Sequence, residues 1–356
     1  MKKILYFVDK ESHYKIFKQF AGNSNSTFVV FFEGAKLNFG DNTIICNNRE
    51  QVIKTINNIK PDIFVQSRTK TKLHPCLDKI KAKKIMIGHG IFPRIDVVYN
   101  TVSDNKKIWQ AYDMVCVATQ KYDKEVLLKY ANLNENKVKA TGLVQFDTIY
   151  QKLANNDFVL KKDKNTKTIL FLCGLMVTES AIRQEYFDRL VELSDMCVRN
   201  NWKLLVKPRM DDFSTLIKMK EKQSKNLEIY TKIVGSKNTM LLDPDSCIYD
   251  YFNSDIVIID GWSTAEVEAC LAKLPTIVMD KSADAIMKAD YMDTVKNEAV
   301  LLSHNIKDVE NHIFWLEVQK NKDELCEKQE KYIQNLGIIF DGNIHNRILS
   351  LINNNF

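Results

Sequence analysis

The sequence predicts an α/β protein made of two Rossmann-like domains facing each other across a cleft. Three observations lead there. Short, wholly apolar, β-branched runs alternate with helix-compatible segments, the pattern of parallel strands covered on both faces by helices. A polar stretch of little periodicity, "LANNDFVLKKDKNTKT" (153–168), interrupts that alternation, which then restarts. The length, 356 residues, suits two domains of about 150–180 residues better than a single core.

In the first half, "KILYFV" (3–8), "TFVVFF" (27–32), "DIFVQS" (62–67), "KIMIG" (84–88) and "MVCVA" (114–118) read as strands, and "KVKATG" (137–142) as a short one ending in glycine. The centre of 153–168 reads as a linker. This places an N-terminal domain over 1–158 and a C-terminal domain over 166–335. The second half gives strands at "TILFLCG" (168–174), "WKLLVK" (202–207), "LEIY" (227–230), "DIVIID" (255–260) and "PTIVMD" (275–280). Helices are expected from Glu179 to Asn200, near 246–253 and over 264–273. The stretch "LLDPDSCIYDYFNSD" (241–255) reads as strand, turn and helix, with Asp245 or Ser246 as cap and a mainly structural role. A mixed-charge helix from Lys307 to Leu336 braces the domain, and "NIHNRILSLI" (343–352) forms a last helix within a segment, 336–356, expected to pack back on the N-terminal domain.

Composition narrows the function classes. Apolar residues make up 45% and charged residues 27%, an ordinary soluble balance. No apolar run approaches the ~20 residues that span a bilayer. "MKKILYFVDK" lacks a small-residue cleavage site and reads as a first strand, not a signal peptide. Eight cysteines without a C-x-x-C pair read as buried thiols in a reducing, cytoplasmic compartment. The net charge of +6 reads first as a solvated lysine surface. The alternative is a surface that favours phosphorylated substrates or peripheral contact with an anionic membrane. "KIKAKK" (79–84) and "LKKDKNTK" (160–167) lack interleaved aromatics, which argues against nucleic acid.

Ligands of open α/β sheets bind beyond the carboxyl ends of the strands, so residues just past strands carry the chemistry. In "IMIGHGIFPR" (85–94), His89 stands between Gly88 and Gly90. The glycines permit a sharp turn and close approach of a ligand, and an imidazole there can act as a general base. A turn histidine that caps backbone groups is the alternative. In "LLVKPRMDD" (204–212) a strand runs into Lys207 and Arg209, which can hold a phosphate as point charge and bidentate fork, or form a surface charge pair. In "DIVIIDGWSTAEVEA" (255–269) a strand ends at Asp260, Gly261 and Trp262 turn the chain, and Ser263 stands as N-cap with Thr264 first in the helix and Glu266 at N3. That is a capping box, compatible with an anion held by Thr264 and the free N–H groups. Glu268 reads either as an acceptor for ribose hydroxyls or as a solvated helix residue. There is no P-loop, no G-x-G-x-x-G after the first strand and no G-x-S-x-G. His13, His74, His304, His312 and His345 show no ligand spacing, so neither a metal nor a cofactor is expected.

Taken in order, "GHG", "GLVQFD" (142–147), "K-P-R", "D..ST...E......P" and "FDGNIHNRI" (340–348) resemble the CDP-glycerol glycerophosphotransferase family, the teichoic-acid primases and polymerases with a GT-B-like catalytic region. The resemblance spans roughly 84–348. It rests on His89-Gly90, Gly142 and Asp147, Ser263, Thr264 and Glu268, Lys273 and Pro275, and Asp341-Gly342. Lys207 stands where the family has a second histidine, Ile91 follows the "H-G", and Gln145-Phe146 replace a "P-R". The resemblance implies a GT-B-like transferase with a CDP-activated donor and a glycan or lipid-linked acceptor, working in the cytoplasm or at the inner face of the membrane. His89 would be the catalytic base; Gly88, Gly90, Lys207, Arg209, Asp260, Ser263, Thr264 and Glu268 would hold the donor. Two further readings stand beside it: a GT-B glycosyltransferase using a CMP- or UDP-sugar, and a non-catalytic nucleotide- or glycan-binding protein on the same scaffold.

Overall fold

All five residues of the first strand, β1 (Ile4–Val8), are buried, which requires a sheet covered on both faces. Leu5 and Phe7 join Val29, Val52, Ile56 and Phe64 in one core. On the other face the Tyr6 ring lies 5.3 Å from Phe17 and Phe20 and 5.1 Å from Phe28. The same two-sided burial recurs in the strands Ile63–Gln66 and Met114–Val117 and, in the second half of the chain, in Thr168–Leu172, Ile256–Asp260 and Thr276–Met279, and it explains why those strands read as unbroken apolar runs. The computed structural model describes residues 2–9, 13, 16–20, 25–31, 42–67, 73–88, 90, 106–163, 165–173, 180–208, 235–243, 246–261, 263–279 and 297–356.

The chain divides into two compact units, Met1–Tyr150 with Asn335–Phe356, and Gln151–Gln334. The first holds β1, β2 (Ser26–Val30), β3 (Thr43–Ile45), β4 (Ile63–Gln66), β5 (Lys83–Ile87), β6 (Met114–Val117) and β7 (Val138–Ala140) in the order β3-β2-β1-β4-β5-β6-β7. The second holds β8 (Thr168–Leu172), β9 (Lys203–Lys207), β10 (Thr239–Leu241), β11 (Ile256–Asp260), β12 (Thr276–Met279) and β13 (Leu301–Ser303) in the order β10-β9-β8-β11-β12-β13. Every pairing within the sheets is parallel. Each sheet grows one way from its first strand and then reverses, between β1 and β4 and between β8 and β11. These reversals are the switch points at which doubly wound sheets open a crevice for ligands.

The helices of the described residues are α1 (Arg49–Ile59), α2 (Lys106–Gln110), α3 (Asp123–Tyr130), α4 (Val144–Asn155), α5 (Ser180–Arg199), α6 (Ala265–Leu271), α7 (Ile306–Trp315), α8 (Gln319–Leu336) and α9 (Ile344–Asn355). Asn48 caps α1 and Asn305 caps α7 with side-chain oxygens, the usual solution for the first orphan N–H groups. α5 and α7 cover one face of the second sheet through Leu190, Leu193, Met196, Val309 and Ile313. None of the described helices is long and apolar enough to cross a membrane.

Several expectations need correction. The helix expected over Lys307–Leu336 is two helices, because the Trp315 carbonyl is taken by the Val318 N–H and the Asn321 side chain, which ends α7. The helix expected near 246–253 is a short 3-10 turn, Ile248–Tyr251, and the Ser246 hydroxyl donates to the Asp243 carbonyl instead of capping it. β3 and β13 were not anticipated. Each is three residues long at a sheet edge and incompletely buried, so neither shows an apolar run. The strand expected at 227–230 lies outside the described residues.

Candidate functional site

The carboxyl edge of the second sheet gathers most of the residues picked out by sequence. In register, Leu172 stands opposite Lys207 on one side and Ile259 on the other. Strands lie about 4.8 Å apart, so Lys207 is about 10 Å from Ile259 across the switch point, with Asp260 one residue further. Lys207 is buried; its amine donates to the Pro208 carbonyl at 3.3 Å, and its own carbonyl accepts the Cys173 N–H.

Asp260 is also buried, and its carboxylate accepts from Arg189 of α5 at 2.9 Å. Burial of both partners makes this pair a fixed point beneath the turn that follows. Gly261 takes that turn with φ +77, a left-handed conformation natural to glycine, and its N–H donates to the Met279 carbonyl.

Ser263 and Glu266 form one half of the expected capping box. The Ser263 N–H donates to Glu266 Oε1 at 2.8 Å. The other half is shifted: Ser263 Oγ accepts from the Ala265 N–H at 3.1 Å, not from Glu266. Thr264 already has helical backbone angles and makes no capping bond with its side chain. Ser263 is exposed and Thr264 half-buried.

Glu268 is buried, which removes the reading of a solvated helix residue. Its Oε1 accepts the Tyr249 hydroxyl at 3.0 Å. Burial, followed by the negative charge of Glu268, pushes the Tyr249 phenol well above its ordinary range. The phenol therefore stays a neutral donor to Glu268.

His89 and Arg209 lie outside the described residues, as does Trp262. Gly88 and Gly90 are half-buried. The Gly88 N–H donates to the Cys116 carbonyl at 2.8 Å, and a Cβ at Gly88 would stand 3.1 Å from that oxygen. Gly88 is not among the residues of positive φ, so close approach to β6, not a left-handed turn, is what calls for glycine there.

Gly142, Asp147 and Asp341-Gly342, far apart in sequence, converge in the first unit. Fully buried Asp147 accepts the backbone N–H groups of Ile344 and His345 and the His345 Nδ1, each at 2.9 Å. It thus supplies the cap that α9 lacks from its own sequence. A Cβ at Gly142 would stand 2.7 Å from Ile344 Cδ1. Arg347 donates to the Thr141 carbonyl at 2.9 Å and to Asp341 at 2.5 Å.

Sequence reasoning missed three groups. Arg189 lies mid-helix, 71 residues before its partner, and no local signal marks it. Tyr249 lies in the 241–255 stretch that reads as mainly structural, although its hydroxyl had to find a partner once buried. At the switch point of the first sheet, buried Asp9 pairs with buried His13 at 2.9 Å, and buried Gln66, the last residue of β4, donates to the Tyr112 hydroxyl. The position of Asp9 directly after β1 was the available clue.

No family model matches the sequence, and no curated protein does. Solved structures match along its whole length. S. aureus MnaA in complex with UDP is 16% identical over 99% of this chain and 96% of that one, with TM-score 0.68. A UDP-GlcNAc 2-epimerase from Neisseria meningitidis bound to UDP-GlcNAc is 14% identical over 98% and 99%, with TM-score 0.66. The wall teichoic acid polymerase TagF is 13% identical over 99% of this chain and 88% of its own, with TM-score 0.67. The protein therefore has the fold of these neighbours: two parallel-sheet α/β domains of GT-B-like type.

Proposed function

We propose that the chain is a GT-B-type transferase that moves glycerol phosphate, or a related polyol phosphate, from a CDP-activated donor to a hydroxyl of a glycan or lipid-linked acceptor in cell-surface polymer synthesis. The observation that carries this reading is the assembly of Lys207, Asp260, Ser263, Thr264 and Glu268 at one carboxyl edge, around one switch point. The ordered resemblance of the sequence to CDP-glycerol glycerophosphotransferases and the shared fold with TagF, a variant of which is known with CDPG, support it.

In this reading Lys207, Arg209 and the Ser263-Thr264 turn take the donor diphosphate, and Glu268 takes the ribose. Asp260 acts through its ion pair with Arg189, which fixes the turn. His89, flanked by Gly88 and Gly90, accepts the proton of the acceptor hydroxyl as its oxygen bonds to phosphorus and CMP leaves with the electron pair. Positioning and charge stabilisation supply most of the rate, as in phosphoryl transfer generally. An acceptor carried on lipid would bring the protein to the anionic inner face of the membrane.

A second reading, a glycosyltransferase that uses a CMP- or UDP-sugar, is favoured by Lys207 standing where the resembling family has a histidine. Melting curves with CDP, CMP and UDP separate the two, since a ligand that binds only the native state raises the melting temperature. Mass spectrometry of donor consumption across nucleotide-activated polyols and sugars then decides the reaction. His89→Ala should lower turnover about 10²–10⁴-fold with donor binding retained. Near-normal turnover in that variant removes His89 as the base.

A further inference from the structure

We infer that the amino edge of the first sheet is an electrostatic docking face for an anionic lipid bilayer. The inference goes beyond the proposed reaction and rests on the charge of this edge.

Parallel strands put all their amino ends on one side. Register sets Ile4, Ile63 and Lys83 in one line across β1, β4 and β5, with neighbours about 4.8 Å apart. The chain just ahead of that line is rich in lysine. Lys2 and Lys3 lead into β1, Lys60 is the C-cap of α1 shortly before β4, and "KIKAKK" (79–84) runs into β5. The segments 2–3, 60–62 and 78–84, with Asp113 beside Lys83, hold seven lysines and three aspartates. That is a surplus of four in a chain whose net charge is +6. Two of the aspartates are occupied by the sheet itself. Asp62 accepts the Lys3 N–H at 2.8 Å; Asp113 accepts the Lys84 N–H at 2.8 Å and the Lys83 amine at 3.2 Å. The third, Asp78, is exposed. Lys2 and Lys84 donate to the carbonyls of Asn353 and Ala82. Lys3, Lys60, Lys79 and Lys81 are exposed, and among the described residues their amines have no partner.

Their chemistry says what they fit. Every cation of these segments is a lysine and none an arginine. Lysines are mobile point charges on long stems, suited to the shifting phosphates of fluid headgroups more than to one fixed phosphate held by a fork. No large apolar side chain of the described residues is exposed at this edge. It therefore offers neither a platform on which bases stack nor a wedge into the acyl layer, and its binding is electrostatic and salt-sensitive. Gly88 follows β5 at the opposite end of the same strands, so a bilayer held at the amino edge leaves the carboxyl edge uncovered.

The test is co-sedimentation of the full chain with vesicles of phosphatidylcholine, alone or with about 30% phosphatidylglycerol. The wild type should bind the anionic vesicles only, and raising salt from about 0.05 M to about 0.5 M should weaken binding at least about tenfold. A lysine near an anionic surface strengthens binding about fivefold. The combined Lys3→Gln, Lys60→Gln, Lys79→Gln and Lys81→Gln variant should therefore bind about 10²-fold or more weakly. If it does not fold, Lys79→Gln with Lys81→Gln carries the test, with a loss of about 25-fold. A control with the same change of net charge at exposed lysines of the second unit, Lys161→Gln, Lys307→Gln, Lys320→Gln and Lys331→Gln, should stay within about threefold of the wild type. Equal losses in the edge variant and the control mean that overall charge is read and not this edge, which overturns the inference. Failure to bind anionic vesicles, equal binding to neutral ones, retention at high salt, or tighter binding of a single-stranded oligonucleotide overturns it as well. Melting with CDP keeps the two proposals apart: the edge variant should show the wild-type shift, and a wild type that docks on vesicles but shows no shift with CDP loses the donor site and keeps the docking face.

Discussion

The Arg189–Asp260 pair offers a direct measure of how firmly the candidate donor edge is built. The two side chains are 10% and 1% exposed, with nitrogen and oxygen 2.9 Å apart. At an effective dielectric constant of about 20, unit charges some 4 Å apart attract by about 4 kcal/mol. Removing one partner of a buried pair also strands the other charge, for a total of about 3–5 kcal/mol. Arg189→Met keeps the length of the side chain and deletes its charge, so it should destabilise the second unit by that amount. At about 2–4 °C per kcal/mol for a domain of this size, its melting transition should fall by roughly 6–20 °C. Asp260→Asn alone should cost a similar amount, and the double variant much less than the sum, because two neutral groups leave no stranded charge. Calorimetric melting of the four proteins gives the coupling energy. A loss below about 1 kcal/mol for Arg189→Met, or strict additivity in the cycle, would mean that the pair is not the anchor of the Asp260–Ser263 turn.

Three further outcomes follow from the same geometry. Gly142→Ala places a Cβ 2.7 Å from Ile344 Cδ1 and 3.1 Å from the Ile339 carbonyl at φ +85, so it should cost about 2–4 kcal/mol and increase hydrogen exchange in α9. Asp147→Ala removes the acceptor of two N–H groups and one imidazole; α9 should lose about 2–3 kcal/mol of protection, with the second unit unaffected. Burial pushes the Cys116 and Cys197 thiols up to about 12 from 9.0, so both should resist Ellman's reagent at pH 8 in the native state while half-buried Cys247 and Cys326 react ahead of them. The same shifts set a pH limit: above pH 9 the unfolded chain releases these protons and the native state keeps them. Stability should therefore fall from pH 9 towards 12, by up to about 1.4 kcal/mol per pH unit for each thiol, as read from denaturant midpoints.

What the sequence made legible is what burial dictates locally. β1, β4, β6, β8, β11 and β12 are apolar on both faces and stand out as runs; α5 announces itself by length and lands within a residue of its expected ends. β3 and β13, short and partly exposed at sheet edges, carry no such signature, because an edge strand needs to bury only part of its surface. The split of the last long helical stretch into α7 and α8 turns on a single carbonyl, that of Trp315, captured by Asn321, a competition that composition does not reveal. The second site-bearing edge was legible for a related reason: the strand-end rule points to Lys207 and Asp260 without any knowledge of what lies opposite them.

Partner choice was not legible, and it is partner choice that assigns roles. Asp260, Glu266 and Glu268 look alike in "DGWSTAEVEA", yet each is buried against a different donor. An aspartate facing Arg189 contributes structure, since its charge is spent within the protein fabric. A glutamate on the Ser263 N–H sets where α6 begins. A glutamate on a buried phenol ties α6 to the 3-10 turn that precedes β11. These differences follow from hydrogen-bond partners 19 and 71 residues apart, distances over which residue spacing carries no information and only the folded chain decides.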